Sequence, residues 1–114
     1  MLLDAAVIEE VRETLGDDTL RGFLARMLAE VEETGDTLRT LLAAQDYAAL
    51  ASVAHRAAGS AASVGATGLH SALKEIENTA RGNDPVASLP GLVAALPDRI
   101  SKTRSALSLL LGAA

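Results

Sequence analysis

The apolar residues of this chain recur mainly at spacings of three and four, which places side chains on one face of an α-helix. The clearest stripe lies in the N-terminal half and consists of Leu20, Phe23, Leu24, Met27, Leu28, Val31, Leu38, Leu41 and Leu42. Gly35 interrupts this stripe without changing its phase. The pattern predicts a long amphipathic helix that begins near Asp17 or Asp18, either of which could act as its N-cap.

Turn-forming residues divide the rest of the chain into further helical segments. We expect a short first helix over 4–15, a third helix over 47–64, a fourth over 67–81 and a last over 88–111. Asp4 can cap the first helix, which Gly16 closes, and Gly65 ends the third. Pro97 lies inside the last segment, where a proline removes a backbone donor and clashes with the preceding turn. We therefore expect a kink or a split there.

Composition supports an all-helical interpretation. The 114 residues are 49% hydrophobic but only 2% aromatic, and alanine and leucine are far more frequent than β-branched residues. A chain of this length fits one domain, over 1–114, with a single core. Four long amphipathic segments with short connections predict an all-α fold, namely an antiparallel up-down four-helix bundle with a short extra N-terminal helix.

Charge and residue usage exclude several classes of function. The absence of cysteine rules out disulfides, a thiolate nucleophile and a cysteine metal site. Ten basic against 15 acidic residues give a net charge of −5, and with so few aromatic residues we expect no nucleic-acid binding. The longest apolar run, 109–114, is far shorter than the ~20 residues of a membrane span, so we expect a cytoplasmic protein with no membrane contact.

The acidic residues are concentrated in one part of the chain. Residues 1–46 hold 11 acids and 4 bases, a net −7, whereas residues 47–114 hold 4 acids and 6 bases, a net +2. An anionic partner would therefore favour the C-terminal part.

The third predicted helix carries a histidine among small side chains. At about 100° per residue, its core stripe consists of Tyr47, Leu50, Ala54, Ala57 and Ala61. His55 then faces outward or lies at the edge of the bundle. Its neighbours within about one turn are Ala51, Ala58, Gly59 and Ala62. Because a surface helix normally covers such a face with long polar side chains, this imidazole is open to a bulky partner.

Gly59 follows His55 by four residues and therefore lies beside it on the helix. A glycine inside a helix costs about 1 kcal/mol relative to alanine. One explanation is clearance for a group attached to the ring or for a docking protein. The other is close helix–helix packing through the small residues. The sequence leaves both open.

A second stripe on the fourth helix consists of His70, Lys74, Glu77 and Arg81, at spacings of 4, 3 and 4. If this stripe borders the third helix, one carboxylate and two cations lie near His55. A carboxylate that accepts from one ring nitrogen would leave the other nucleophilic, and the cations would stabilise a phosphoryl group placed on it. The alternative is a solvated face with weak ion pairs such as Lys74–Glu77.

The region 54–82 contains a recognisable series of motifs, namely His55-Arg-Ala-Ala-Gly59-Ser60, Val64-Gly65-Ala66, Leu69, Leu73, Ile76-Glu77 and Ala80-Arg81-Gly82. In these residues it resembles the histidine-containing phosphotransfer (HPt) domain. The other predicted helices agree with this family in number, order and length. The resemblance implies a phosphorelay intermediate that carries a phosphoryl group and is not an autonomous enzyme.

The resemblance assigns a role to each matching residue. His55 corresponds to the histidine that accepts the phosphoryl group. Gly59 corresponds to the glycine that leaves room for that group and for the partner's active site. Glu77 falls where relatives place a Gln or Glu that hydrogen-bonds the imidazole, and Arg81 matches a basic position near the site.

One position departs from the family pattern. Relatives usually carry a lysine three residues after the histidine, where this chain has Ala58. Lys74 on the neighbouring helix is the candidate to replace it, and Arg56 is a weaker one. The departure leaves a second hypothesis open, a degenerate scaffold that docks receiver domains without carrying phosphate. A third, a self-phosphorylating kinase fragment, is disfavoured because no nucleotide-binding motif is present.

The implied partners are a response-regulator receiver domain, a hybrid sensor histidine kinase, or both. The chain needs no metal or other cofactor of its own, since the receiver is expected to supply Mg²⁺. We expect docking through the small residues Ala51, Ala58, Gly59 and Ala62, together with apolar side chains at the rim of the second helix. The charged outer faces favour a monomer.

Two other kinds of polar residue have less prominent expected roles. His70 is expected to be peripheral, either solvated or locally hydrogen-bonded. Ser60 and Ser63 lack a neighbouring base and are expected to bond back to the helix backbone.

Overall fold

The computed structural model describes residues 2–112 and consists of five α-helices without a strand in that range. They are α1 (Ala5–Leu15), α2 (Asp17–Ala43), α3 (Tyr47–Ser63), α4 (Thr67–Ala80) and α5 (Pro85–Leu110). The all-helical prediction is confirmed. The predicted boundaries agree closely, except that α5 begins at Pro85 and not near Ser88. None of these helices is long and apolar enough to cross a membrane.

The N-terminal caps agree with the sequence prediction at α1 but not at α2. The Asp4 carboxylate accepts from the backbone N–H of Ala6 at 3.1 Å and of Val7 at 3.2 Å, as an N-cap does. The N-cap of α2 is Gly16, so the prediction of Asp17 or Asp18 at this position is wrong. Both aspartates lie in the first turn of α2, where their negative charge interacts favourably with the positive end of the helix dipole.

We expected a kink or a split at Pro97; helix α5 runs through this residue without interruption, so the split is wrong. Pro97 is exposed, and the neighbouring apolar residues Leu96 and Ile100 are buried. The missing backbone donor of the proline therefore lies on the solvent side of the helix, where it leaves the contacts with the core intact.

The four long helices contact one another in a closed series, α2 with α3, α3 with α4, α4 with α5 and α5 with α2. The domain measures 43 × 21 × 21 Å, close to the length of about 40 Å expected for the 27 residues of α2. The large core side chains include Leu20, Val31, Leu38, Leu50, Leu69, Leu73, Ile76, Leu89, Val93 and Leu96. Apart from Leu50, the buried residues of α3 are alanines, which allow its neighbours to approach closely.

The N-terminal segment packs against the turn between α3 and α4. The N–H of Asp4 donates to the carbonyl of Gly65 at 2.8 Å, and the N–H of Gly68 donates to the carbonyl of Leu2 at 3.0 Å. A Cβ atom at Gly68 would lie 3.1 Å from the backbone Cα of Leu2, so a side chain there would push the N-terminal segment away from α4. Gly65 also needs its glycine, because its φ is +79°. Gly65 follows His55 by ten residues, so these contacts lie nearly three helical turns beyond the histidine in the direction of α3.

Candidate functional site

The centre of the candidate site is a hydrogen-bonded pair formed by His55 of α3 and Glu77 of α4. His55 Nδ1 lies 3.1 Å from Glu77 Oε1 and 3.1 Å from Glu77 Oε2. The Glu77 side chain is only 7% exposed, whereas that of His55 is 62% exposed. The imidazole therefore lies at the surface, with one ring nitrogen bound to a buried carboxylate.

Two cations of α4 bind the same carboxylate. Lys74 Nζ lies 2.8 Å from Glu77 Oε1, and Arg81 Nη2 lies 3.2 Å from Glu77 Oε2. The hydrogen bond from Lys74 is the largest cause that lowers the pKa of Glu77 from 4.5 to about 2, and it outweighs the opposing effect of desolvation. The hydrogen bond from His55 lowers this pKa further. Glu77 is therefore ionised at neutral pH.

The charge of Glu77 fixes the proton on the His55 ring. An ionised carboxylate can only accept hydrogen bonds, so Nδ1 of His55 carries the hydrogen. In the neutral imidazole, Nε2 then holds the free lone pair. Nε2 has no hydrogen-bond partner among residues 2–112. This arrangement presents a nucleophilic nitrogen on the exposed side of the ring and needs no separate base to deprotonate it.

The surface beside His55 is open at Gly59. A Cβ atom placed on Gly59 would meet no atom of another element within 4 Å. Close helix–helix packing therefore does not explain Gly59. The explanation that remains is clearance at an exposed face, for a group on the ring or for a docking protein. Ala62, which lies nearly one helical turn further along α3, is exposed as well.

Two of the four residues predicted for docking are not on this surface. Ala51 and Ala58 are each only 1% exposed, so neither can contact a partner in this structure. The physical reason is that α3 packs against both α2 and α4, which buries a wider face than a single stripe. Gly59 and Ala62 are the predicted docking residues that are accessible.

A shallow depression between α2 and α3 lies beside the exposed part of α3. It has a volume of about 250 Å³ and is lined by Phe23, Arg26, Met27, Glu30, Ser60, Ser63 and Val64. Phe23 belongs to the apolar stripe of α2, yet it is 37% exposed and lies at the edge of the core. An apolar side chain of α2 is therefore exposed at the edge of this depression.

His70 contacts the histidine-bearing helix directly. Its Nδ1 atom lies 3.0 Å from the carbonyl oxygen of Ala58, and the side chain is half-buried. The sequence analysis expected His70 to be peripheral and did not predict this contact between helices. Ser63 behaves as expected, because its hydroxyl donates to the carbonyl of Ser60 at 2.8 Å. No cluster of three potential metal ligands occurs in the described range 2–112.

The structure is thus an all-helical domain in which an exposed histidine is bound to a buried carboxylate of the neighbouring helix. Residues 22–106 match the family described as the Hpt domain, and the chain belongs to this family. Membership connects the chain with two-component phosphorelay signalling. The resemblance found in the sequence is thereby confirmed.

Similarity to a curated protein agrees with this assignment. Over 80 residues, which are 70% of this chain, it is 36% identical to the sensor histidine kinase AruS of Pseudomonas aeruginosa. The matched part makes up only 8% of that kinase. No solved structure matches the chain.

Proposed function

We propose that this chain is a histidine phosphotransfer protein. Through His55 it relays a phosphoryl group between receiver-domain aspartates, or from a sensor kinase to a response regulator. The observation that carries the proposal is the hydrogen bond between His55 Nδ1 and ionised Glu77, which leaves the Nε2 lone pair exposed. Membership of the Hpt domain family supports it.

The proposed transfer is a displacement at phosphorus. The lone pair of His55 Nε2 attacks the phosphorus of an aspartyl phosphate, so that an N–P bond forms. The bond from phosphorus to the aspartate oxygen breaks, and its electron pair leaves with the carboxylate. Nδ1 keeps its proton, and the positive charge that develops on the ring is stabilised by Glu77 at 3.1 Å.

Lys74 and Arg81 supply positive charge beside the reacting ring. Each forms an ion pair with Glu77, at 2.8 and 3.2 Å, so both are held at the histidine while remaining partly exposed. Cations at such positions stabilise a dianionic phosphoryl group. In this proposal Lys74 replaces the lysine that the family usually carries at the position of Ala58.

The chain acts in this proposal as a phosphoryl carrier and not as an autonomous enzyme. It needs no cofactor of its own, and the partner receiver domain supplies Mg²⁺. The short connections 44–46, 64–66 and 81–84 support an antiparallel up-down arrangement of α2 to α5. We propose that this single unit works as a monomer.

We propose a docking face for the receiver domain that differs from the sequence prediction. It combines exposed Gly59 and Ala62 of α3 with Phe23 and the depression between α2 and α3. The small residues let the partner's active site approach His55, and the Phe23 ring offers apolar area next to them.

The test is phosphoryl transfer from receiver domains that have been phosphorylated with a small-molecule donor. We expect acid-labile, base-stable label on the wild type and none on His55→Gln, with circular dichroism confirming that the variant is folded. A wild type that binds a receiver but takes no label from any of them would contradict the carrier proposal. That result would support a scaffold that docks receivers without phosphate, a reading motivated by Ala58.

A further inference from the structure

We propose that His70 is a positioning residue for phosphoryl transfer at His55, an inference that rests on the proposed function. His70 does not touch the reacting nitrogen. It acts through a hydrogen bond that joins α4 to the histidine-bearing helix about one turn beyond His55.

The geometry of this bond fixes its direction. His70 Nδ1 lies 3.0 Å from the carbonyl oxygen of Ala58. A carbonyl oxygen can only accept, so Nδ1 of His70 carries the hydrogen and donates it. Ala58 follows His55 by three residues, which is slightly less than one turn of α3. His55 of α3 therefore bonds to α4, and His70 of α4 bonds back to α3, so each of these helices contributes one histidine side chain to the link.

These two links are the directional contacts between α3 and α4. In the part of the chain that the structure describes, the side-chain hydrogen bonds between these helices are those of His55 with Glu77 and of His70 with Ala58. The rest of the interface is apolar, and apolar contact is not directional. The buried residues of α3 are mostly alanines, which interlock with a neighbouring helix less than large side chains do.

The register between α3 and α4 matters because it sets the position of His55 relative to Glu77. Glu77 must lie under the ring of His55, with its oxygens 3.1 Å from Nδ1. His70, Lys74 and Glu77 follow one another along one face of α4, so the bond of His70 holds the same face that carries the carboxylate. If α4 slid or rotated slightly, the ring would lose its orientation and Nε2 would no longer point at the incoming phosphorus.

The experiment compares two substitutions of His70. His70→Asn keeps a side-chain N–H near the position of Nδ1, and His70→Leu has a similar size but no donor. The readouts are the transfer rate at saturating phosphorylated receiver, the Kd of the receiver, and the ¹⁵N chemical shifts of the His55 ring in the protein without phosphate. We expect His70→Leu to lower the saturating rate about tenfold, because orientation is lost. The Kd should stay unchanged, and His70→Asn should recover most of the rate.

The ¹⁵N chemical shifts of the His55 ring distinguish a positioning role of His70 from a merely structural one. In His70→Leu, we expect the shifts of His55 to move away from a single Nδ1–H tautomer, and in His70→Asn to stay close to wild type. Unchanged shifts and rate in His70→Leu would overturn the inference, as would a His70→Asn variant as slow as His70→Leu. The wild type gives an independent check if a variant fails to fold, because His70 itself must show the Nδ1–H tautomer.

Failure of this inference and failure of the proposed function give different results. A wild type that takes no label contradicts the proposed function, whatever the ring shifts show. A wild type that is labelled, together with a His70→Leu variant that transfers normally, contradicts only the role of His70.

Discussion

The Nδ1 atom of His55 lies at the same distance, 3.1 Å, from both carboxylate oxygens of Glu77. The single N–H of the ring is therefore shared between two acceptors, and both oxygens hold the plane and the direction of the imidazole. Lys74 approaches one of these oxygens and Arg81 the other. Glu77 thus fixes the ring and also gathers the positive charge of the site.

The first prediction concerns the pH dependence of stability. The pKa of Glu77 is about 2 in the folded protein, below its ordinary value of 4.5. A lowered pKa means that the stability from this group is fully present above about pH 4.5 and is lost as the pH falls towards 2. Urea unfolding across this range should show the free energy of unfolding of the wild type approaching that of Glu77→Gln as the pH falls.

The control for this experiment is Glu75→Gln, which removes an exposed carboxylate from the same helix. A gap between wild type and Glu77→Gln that stays constant down to about pH 2 would show that the charge of Glu77 is not what its partners stabilise.

The second prediction concerns Lys74. Lys74→Gln removes the cation that binds Glu77 at 2.8 Å and keeps a side chain of similar length. We expect the rate of phosphoryl transfer to His55 to fall about tenfold, because positive charge near the phosphoryl group is lost. Single-turnover transfer from a phosphorylated receiver measures this rate.

Lys102→Gln is the matched control for Lys74, since Lys102 also pairs with a carboxylate, Asp98 at 3.0 Å, but at an exposed position of α5. Equal rates for both variants and the wild type would remove Lys74 from the proposed mechanism.

The third prediction concerns the open surface at Gly59. Because no atom of another element lies within 4 Å of a Cβ placed there, Gly59→Ala should raise the free energy of unfolding by ~0.5–1 kcal/mol through helix propensity alone. Gly59→Gln should also fold, but its long side chain should block the receiver. Thermal unfolding and receiver titration measure the two effects.

Gly91→Gln on α5 provides the control for Gly59, because this glycine is likewise exposed with no neighbouring atom within 4 Å. If Gly59→Gln binds the receiver as tightly as Gly91→Gln, the partner does not approach over Gly59.

The fourth prediction concerns Phe23 at the depression between α2 and α3. Phe23→Ala should weaken receiver binding by about 1–2 kcal/mol, as expected for an aromatic side chain within an interface. Leu109→Ala is the control, since Leu109 is an exposed apolar residue of α5, 85% exposed. Calorimetric titration compares the two, and similar affinities would place the docking face elsewhere.

The sequence predicted the helices for identifiable reasons, whereas the pairing of His55 with Glu77 was implied by the resemblance to the HPt domain. The spacing of apolar residues, together with capping and turn residues, located the five helices, and the 4-3-4 spacing on α4 placed Glu77, Lys74 and Arg81 on one face. These features depend on local periodicity, which a single sequence contains. The position of His55 outside the core stripe of α3 followed from the same period.

Other features depend on contacts that leave no pattern in the sequence. Ala51 and Ala58 are buried because two helices cover α3 together, and the width of that contact follows from tertiary packing. The bond of His70 uses a backbone carbonyl, which every residue possesses, so no residue type marks it. The continuity of α5 depends on which side of the helix Pro97 faces.

In the proposed relay, the attachment of His55 to α4 has an evolutionary consequence. The residues that hold the reacting ring lie on α4, whereas Phe23 and Ser63 line the depression between α2 and α3. Substitutions in that depression can therefore redirect the protein to a new receiver without altering the nitrogen that carries the phosphoryl group. Duplicated copies of such a domain can diverge in the signals they transmit while inheriting the same chemistry.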